Sequence, residues 1–497
     1  MAAELILAID QGTTSSRALV FDAHAQVVSA AQAELPQVYP REGWVEHDPE
    51  AIWATTLSTA REAMARAEAR GGRVVAIGLA NQRETAIVWE RRGGRPIHNA
   101  IVWQDRRTAG RCRDLEAQGA LEEVRARTGL LLDPYFSATK AAWLLDHVEG
   151  ARERAERGEL AFGTVDSFLL WRLTEGATHA TDATNASRTS LYNIHQGAWS
   201  DALCALFGAP RAMLPEVRDS SGDFGTTPAG LFGRSLPILG MLGDQQAALT
   251  GHACLAPGDA KCTFGTGGFL LVNTGAAPVA SRNRLLTTVA LQLEGRRSYA
   301  LEGSIFVAGA AVQWLRDGLG VIGAAAETHD LAGGLEGNGG VYLVPAFTGL
   351  GAPHWDPDAR GALFGLTRAT GPAQLARAAL EAVAYQTHDL LAAVAEDGAK
   401  VKTLRVDGGL AANDWAMQFL ADIAQVTVAR PASLETTALG AAYMAGRRAG
   451  VYGDLEAFRT EVEPRDVFAP RLPDAARARL LAGWRDAVSR TLSSPRT

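Results

Sequence analysis

The sequence has few features of a disulfide-bonded, zinc-binding or membrane protein. It contains 497 residues but only four cysteines. These are scattered with no C-x-x-C pair, which argues against a zinc site or a disulfide framework. No apolar stretch approaches the ~18 residues of a membrane-spanning helix, and no basic segment followed by an apolar one marks a signal peptide. We therefore expect a cytoplasmic protein without a membrane span.

Charge and sequence motifs exclude several further classes. The formal net charge is -7 and the pI is about 5.9, so the chain as a whole has no electrostatic attraction to nucleic acid. No G-x-x-x-x-G-K-[ST] sequence is present, which excludes a P-loop. No glycine-rich loop is paired with an H-R-D motif, which excludes a protein kinase. A small anionic ligand would need a local site of another kind.

A polar turn between two apolar runs is the most informative feature. Residues 5–9 and 18–21 have strand length and flank a turn with a carboxylate, a glycine, four hydroxyls and a cation. We expect a β-hairpin in which Gly12 lets the backbone approach a phosphate and Asp10 offers an oxygen ligand to Mg²⁺. A polar loop without a ligand explains this turn equally well when it is considered alone.

Similar turns recur far downstream. Gly265-Thr266-Gly267-Gly268 lies between two further apolar runs, and Asp407-Gly408-Gly409 follows a short apolar run and precedes a helical stretch. Two phosphate-type hairpins and a later Gly-Gly turn resemble the layout of actin-like, or ribonuclease H-like, ATPases. This resemblance implies an α/β fold in which two related domains, residues 1–250 and 251–497, hold nucleotide and substrate in the cleft between them.

The hydrophobic pattern and the turn residues predict several individual elements. Asp48 and Pro49 mark the start of a helix that should end near residue 70. Residues 324–340, rich in Gly and Ala, are the most loop-like internal segment. We expect strands at 73–80, 87–89 and 100–103, and helices at 304–317, 371–394 and 473–492.

The order of the motifs along the chain indicates one family within this fold. Together they resemble glycerol kinases of the FGGY carbohydrate kinase family, which implies ATP-dependent phosphorylation of glycerol to glycerol 3-phosphate. The resemblance covers almost the whole chain and is weak only in the last fifty residues. The motifs that carry it are residues 43–48, 81–85, 103–107, 133–137, 243–248, 265–269 and 345–353.

The residue chemistry suits a small polyol. Glycerol needs a few fixed polar groups and apolar walls. Arg83 and Glu84 offer a donor fork beside an acceptor, Tyr135 adds a hydroxyl, and Trp103 and Phe269 can form the walls. Each of these side chains could instead be structural, as a surface ion pair, a loop residue or core aromatics.

The resemblance also implies roles on the catalytic and nucleotide sides. Asp244 would contact the hydroxyl that is phosphorylated and act as general base, with Gln245 beside it, although Asp244 could also cap a helix. Asp10 and Asp244 would lie at the Mg²⁺ ion that accompanies ATP or ADP. The remaining nucleotide contacts would be Thr13, Thr14, Ser15 and Arg17 at the β and γ phosphates, Thr266 at the second hairpin, and Gly309, Gln313, Gly409 and Asn413 around the adenosine.

Two other functions stay open, and two features concern regulation. The chain could be an FGGY kinase for a pentulose or gluconate, or an actin-like ATPase with no small-molecule acceptor.

Residues 218–243 contain no histidine, although some relatives are phosphorylated on a histidine in this segment. They have Gly230-Leu231-Phe232-Gly233-Arg234 where others bind fructose 1,6-bisphosphate at Gly-Gly-Thr-Arg. We expect a homo-oligomer, a dimer or tetramer, controlled by substrate supply.

Overall fold

The computed structural model describes residues 2–356 and 358–493 and contains two large β-sheets with helices around them. The strands up to residue 243 are β1 (Ala3–Gln11), β2 (Ser15–Phe21), β3 (Val27–Glu34), β4 (Glu46–His47), β5 (Gly72–Asn81), β6 (Ile87–Glu90), β7 (Ala100–Ile101), β8 (Leu160–Gly163), β9 (Ala180–Asp182), β10 (Tyr192–Asn193), β11 (Ala198–Trp199), β12 (Glu216–Arg218) and β13 (Ile238–Gly243). Those that follow are β14 (Ala260–Phe264), β15 (Gly268–Gly275), β16 (Leu286–Leu293), β17 (Arg296–Ile305), β18 (Tyr342–Val344), β19 (Ala362–Phe364), β20 (Thr403–Asp407), β21 (Thr427–Pro431) and β22 (Pro464–Phe468).

The helices lie between and around these strands. They are α1 (Pro49–Glu68), α2 (Ala109–Ala117), α3 (Leu121–Thr128), α4 (Ser137–His147), α5 (Ala151–Glu156), α6 (Val165–Leu173), α7 (Ala183–Ala186), α8 (Asp201–Phe207), α9 (Ala229–Phe232), α10 (Asp244–Gly251), α11 (Gly309–Gln313), α12 (Glu327–Gly333), α13 (Pro372–Glu396), α14 (Asp414–Ala424), α15 (Thr436–Ala449), α16 (Leu455–Glu461) and α17 (Asp474–Thr491). None of those in the described ranges is both long and apolar enough to cross a membrane.

The two sheets repeat one arrangement. The first has the order β13-β5-β1-β2-β3, and β1 pairs antiparallel with β2 and parallel with β5. The second has the order β16-β17-β15-β14-β20-β21-β22, and β14 likewise pairs antiparallel with β15 and parallel with β20. Both predicted phosphate-type hairpins are therefore present, and the predicted α/β class with two related sheets is confirmed.

Helix α15 joins the two halves. It follows the strands β20 and β21 in sequence but packs on the first sheet, where its apolar face shares a core with Ile6 and Ala8 of β1. It also crosses α10 at close range, because Gly440 faces the backbone of Ala247 with no room for a side chain. The predicted boundary at residue 250 falls inside α10, and the division into residues 1–250 and 251–497 stays a prediction.

Most predicted elements are present. Asp48 caps α1 by accepting from the Glu50 N–H at 2.9 Å. The strand predicted at 73–80 is β5, and the helices predicted at 371–394 and 473–492 are α13 and α17. The strands predicted at 87–89 and 100–103 are the short β6 and β7, which pair with β8 and β4.

Two predictions are only partly correct. Residues 304–317 are not one helix, because β17 continues to Ile305 as a buried strand between β15 and β16 and α11 begins only at Gly309. The helix then passes into a π-helical turn at Trp314–Gly318. Residues 324–340 are not a continuous loop, because they contain α12. Alanine is the strongest helix former, which explains why the Ala-rich start of this segment leads into a helix.

Candidate active site

Three neighbouring parallel strands bring acidic and basic residues to one edge of the first sheet. Asp10 is near the end of β1, Arg83 and Glu84 follow β5, and Asp244 follows β13. Because these strands run in the same direction, the residues at their carboxyl ends lie together. This edge is where α/β proteins place ligand-binding residues.

Arg83 is the centre of this cluster. Its guanidinium is buried, and its two terminal nitrogens donate to Glu302 at 2.7 Å (Nη1 to Oε2) and 2.9 Å (Nη2 to Oε1). Its Nε lies 3.2 Å from Asp244 Oδ1, and its Nη2 lies 3.4 Å from the Tyr135 hydroxyl. The structure thus places Arg83 among Asp244, Tyr135 and a carboxylate that the sequence reasoning missed.

Glu84 is equally buried and is held by another missed residue. Arg188 Nε donates to Glu84 Oε1 at 2.6 Å, and Arg188 Nη2 donates to Glu302 Oε1 at 3.0 Å. The backbone of Glu84 has a φ of 61°, which is unusual for a residue with a side chain. A signal for Glu302 did exist, because it is the lone carboxylate within the apolar residues 299–305.

Three aromatic rings stand together beside these polar groups. The ring centroid of Trp103 lies 5.6 Å from that of Tyr135 and 6.2 Å from that of Phe269, edge to face in both pairs. The indole N–H of Trp103 donates to Thr13 Oγ1 at 2.8 Å. The rings therefore adjoin the first hairpin, and their role as walls for a bound polyol stays a prediction.

Asp244 is the first residue of α10, whose N-cap is Gly243 rather than Asp244 itself. Its carboxylate is 28% exposed and accepts from the Gln245 N–H at 2.7 Å. Burial raises the pKa of Asp244, while Arg83 and Lys261 act in the opposite direction. The exposed fraction leaves this carboxylate reachable by a small molecule.

Asp10 and Lys261 lie around Asp244. Burial raises the pKa of Asp10 to about 7, Arg17 opposes that shift, and the charge of Asp244 adds to it. The Lys261 ammonium is fully buried and donates to the Gln245 side-chain oxygen and to Thr263 Oγ1. Gln245 is thus beside Asp244 as predicted, with its carbonyl oxygen held by a lysine that the sequence reasoning missed.

The first hairpin is a tight turn. The Gly12 N–H donates to the Ser15 carbonyl at 2.9 Å, and Thr14 is exposed at the tip. The Arg17 side chain forms an ion pair with Glu435, just before α15. Arg17 is therefore near the predicted phosphate site but already has an acidic partner in the protein.

The second hairpin is bonded to the start of α11. The Thr266 carbonyl accepts from the Ala308 and Ala310 N–H groups at 2.8 and 3.1 Å, and the Gly309 N–H donates to Gly265 at 3.0 Å. A Cβ at Gly309 would lie 2.6 Å from the Gly265 oxygen, so Gly309 is required by packing whatever else it contacts. Gln313 is exposed at the end of α11.

Gly409 and Asn413 lie between β20 and α14. Gly409 is exposed, with no atom close to the position of a Cβ. Asn413 is the N-cap of α14, since its Oδ1 accepts from the Ala416 N–H at 3.0 Å, and its Nδ2 donates to Thr328 at 3.1 Å. Both polar atoms of the Asn413 side chain therefore have partners within the protein.

Comparison with known proteins identifies the family. Residues 5–251 match the N-terminal domain of the FGGY family of carbohydrate kinases and residues 260–449 match its C-terminal domain. The glycerol kinase of Rhodospirillum centenum is 67% identical over 489 residues, 98% of each chain, and that of Methylobacterium nodulans is 61% identical over 495 residues, 99% of each. A crystal structure of Plasmodium falciparum glycerol kinase with ADP has a TM-score of 0.93 at 34% identity, covering 99% of both chains. The chain belongs to the FGGY family of carbohydrate kinases.

Proposed function

We propose that the protein transfers the γ-phosphoryl group of ATP to glycerol, forming sn-glycerol 3-phosphate and ADP. The observation that carries the proposal is the acceptor cluster at the edge of the first sheet, where Arg83, Glu84 and Tyr135 stand beside Asp244 and two aromatic walls. Such a small set of polar groups with apolar sides suits a three-carbon triol. The identity with curated glycerol kinases along 98–99% of the chain supports the same activity.

The reaction depends on alignment and charge more than on covalent catalysis. The oxygen of the primary hydroxyl of glycerol attacks the γ-phosphorus while Asp244 accepts the hydroxyl proton. The bond from the γ-phosphorus to the bridging oxygen breaks, and ADP leaves with that oxygen. Arg83 and Tyr135 orient the acceptor from one side, while Trp103 and Phe269 cover its C–H faces. The first hairpin, through Thr13, Thr14, Ser15 and Arg17, faces the β and γ phosphates.

The remaining nucleotide contacts come from the second half. Thr266 lies at the second hairpin, and Gly309, Gln313, Gly409 and Asn413 surround the adenosine in this proposal. Because the acceptor cluster and these groups lie on different sheets, the substrates meet between the two halves of the chain. Closure around them would exclude water and limit wasteful ATP hydrolysis.

The residues present suit Mg²⁺. Within residues 2–356 and 358–493 no cluster of three or more His, Cys, Asp or Glu side chains forms a protein-only metal cage. Mg²⁺ usually takes one or two carboxylates together with water and substrate phosphates. Asp10 and Asp244 supply two carboxylates whose mutual repulsion a divalent cation relieves. When bound, the ion neutralises charge on the phosphate oxygens.

Asp10→Asn is expected to lower kcat/KM for MgATP by about tenfold to 100-fold, because the amide is a weaker oxygen ligand than the carboxylate. The Mg²⁺ concentration that gives half-maximal rate should rise, while the KM for glycerol stays unchanged. Steady-state rates at varied Mg²⁺ measure both quantities. An unchanged Mg²⁺ requirement would remove Asp10 from the metal site.

A substrate screen tests the proposed function. ADP production is measured with glycerol, xylulose, ribulose and gluconate as acceptors and with none. The proposal expects a rate with glycerol far above that with the other three. A preference for a pentulose or gluconate would make the protein another FGGY kinase. ATP hydrolysis that no acceptor stimulates would support the actin-like ATPase without an acceptor.

Fructose 1,6-bisphosphate is expected to change the rate by less than about twofold at sub-millimolar concentration. Arg234, the cation in the changed loop, already contacts Glu68 and donates to the Val74 carbonyl at 3.0 Å. A bisphosphate needs a strong site for each phosphate, and an arginine bonded within the protein is a poor one. The steady-state rate is measured while fructose 1,6-bisphosphate is titrated in. Strong inhibition would show that this loop still forms an effector site.

The proposal extends to the quaternary structure and the cellular location of the protein. We infer a homo-oligomer, either a dimer or a tetramer, and a cytoplasmic enzyme that needs no nucleic-acid partner. Light scattering after size-exclusion chromatography would give the mass of the assembly. A monomer at micromolar concentration would contradict the expected oligomer without affecting the proposed reaction.

A further inference from the structure

Glu302 connects the second sheet to the acceptor cluster of the first. It lies in the middle of β17, where it pairs with Leu271 of β15 and Leu286 of β16. Its charged side chain is fully buried between two mostly apolar strands. A buried carboxylate in such a strand is costly unless it has charged partners, and Glu302 finds both partners in the first half of the chain.

Glu302 and its partners form a buried cluster of four charges, which Arg83 Nε connects to Asp244. Arg83 binds both oxygens of Glu302, and Arg188 bridges Glu302 and Glu84. Two cations and two anions balance, and none of the four side chains is more than 2% exposed. Burial would raise the pKa of Glu302, but Arg188 and Arg83 outweigh it and lower that pKa to about 2. Glu302 is therefore ionised throughout the working pH range.

Glu302 also decides where the Arg83 fork points. The other carboxylates near Arg83 are Asp244, 3.2 Å from its Nε, and Glu84, 3.7 Å from the same atom. The paired donation to Glu302 uses both terminal nitrogens and leaves only Nε towards Asp244. Without that acceptor the terminal nitrogens keep only the longer contacts to Gln246 Oε1 at 3.2 Å and to the Tyr135 hydroxyl at 3.4 Å. The guanidinium could then turn to Asp244 and occupy the group that must accept the glycerol proton.

We propose that Glu302 is a positioning residue for the acceptor site. It holds the two terminal nitrogens of Arg83 away from Asp244 and, through Arg188, fixes the orientation of Glu84. The proposal rests on the proposed function, because it assigns Arg83, Glu84 and Asp244 to glycerol. Its consequence is that the acceptor site is completed by the second sheet.

The test compares two buried glutamates that are each paired with an arginine. Glu302→Gln keeps the shape but removes the charge and one acceptor. Glu381→Gln is the matched control, because Glu381 is 1% exposed and accepts from Arg377 at 2.7 Å and from Tyr385 at 2.9 Å, away from the acceptor cluster. We measure the KM for glycerol, the KM for ATP, kcat and the melting temperature of the full-length wild type and both variants.

The expected result is a selective loss. Glu302→Gln raises the KM for glycerol at least about tenfold and lowers kcat, with the KM for ATP within twofold, as expected when charged hydrogen bonds are lost. Glu381→Gln leaves all three kinetic values within twofold, and its melting temperature shows what the loss of a buried carboxylate costs away from the site. A glycerol KM for Glu302→Gln that matches the control, or an equal rise in both KM values, would overturn the proposal.

A second variant covers the case in which Glu302→Gln does not fold. Arg188→Lys keeps the charge but cannot serve Glu84 and Glu302 together as the guanidinium does. It should show the same split, with the KM for glycerol raised and that for ATP unchanged, and a wild-type glycerol KM would overturn the proposal. The wild type tests the proposed function separately. If the wild-type protein shows no glycerol-dependent ADP production, the proposed function is wrong, whatever the variants show.

Discussion

Replacing Asp244 with asparagine is expected to lower kcat by about 10³-fold while the binding of glycerol changes little. The amide keeps the shape of the side chain and its contact with the Gln245 N–H, but it cannot accept the proton of the attacking hydroxyl. Removal of a general base typically costs ~10²- to 10⁴-fold in rate. Single-turnover rates with saturating substrates, together with calorimetric binding of glycerol, separate chemistry from binding.

Asp166→Asn is a matched control for that experiment. Asp166 is a buried aspartate on α6 that accepts from Thr181 at 2.6 Å, and burial raises its pKa to about 7. Asp166 lies outside the acceptor cluster, so kcat is expected to stay within about twofold even though the amide nitrogen would face a hydroxyl donor and lower the stability. If Asp244→Asn lost only a few-fold in kcat with its fold intact, another group would have to be the base.

The local parts of the fold could be predicted from the sequence because their signals are local. The hairpin at residues 5–21 consists of two apolar runs around one polar turn, and α1 is capped by Asp48 and begins at Pro49. The helix predicted at 304–317 began too early, because the end of the preceding strand has no local signal. A fully buried strand such as β17 has no alternation that separates it from a helix, so only its position between β15 and β16 decides the structure.

The charged cluster could not be derived in the same way. Arg83 and Glu302 are 219 residues apart and lie on different sheets, and Arg188 follows a helix of four residues. Arg83 and Arg188 could equally be surface charges by their sequence context, and the apolar neighbours of Glu302 indicate burial without indicating its partners. Only the packing of the two halves brings them together, and the crossing of α15 onto the first sheet is part of that packing.

The same packing explains why the first site prediction for Arg83 was incomplete. The sequence suggests a donor fork that is free to bind glycerol hydroxyls. In the structure both terminal nitrogens are engaged by Glu302, so Arg83 faces the acceptor site with its Nε and with the edge near Tyr135. Arg83 therefore contributes to the fold as well as to the site, and its removal should affect both.

Arg83→Ala is accordingly expected to raise the KM for glycerol by about tenfold or more and also to destabilise the protein by about 3–5 kcal/mol, because it leaves Glu302 and Glu84 with one cation instead of two. The KM for ATP should change little. Arg377→Ala is the control, since Arg377 forms the buried pair with Glu381 away from the site. It should destabilise to a similar degree without changing the KM for glycerol. Melting curves and steady-state kinetics measure both effects, and an equal rise in the KM for ATP in Arg83→Ala would contradict a role on the acceptor side.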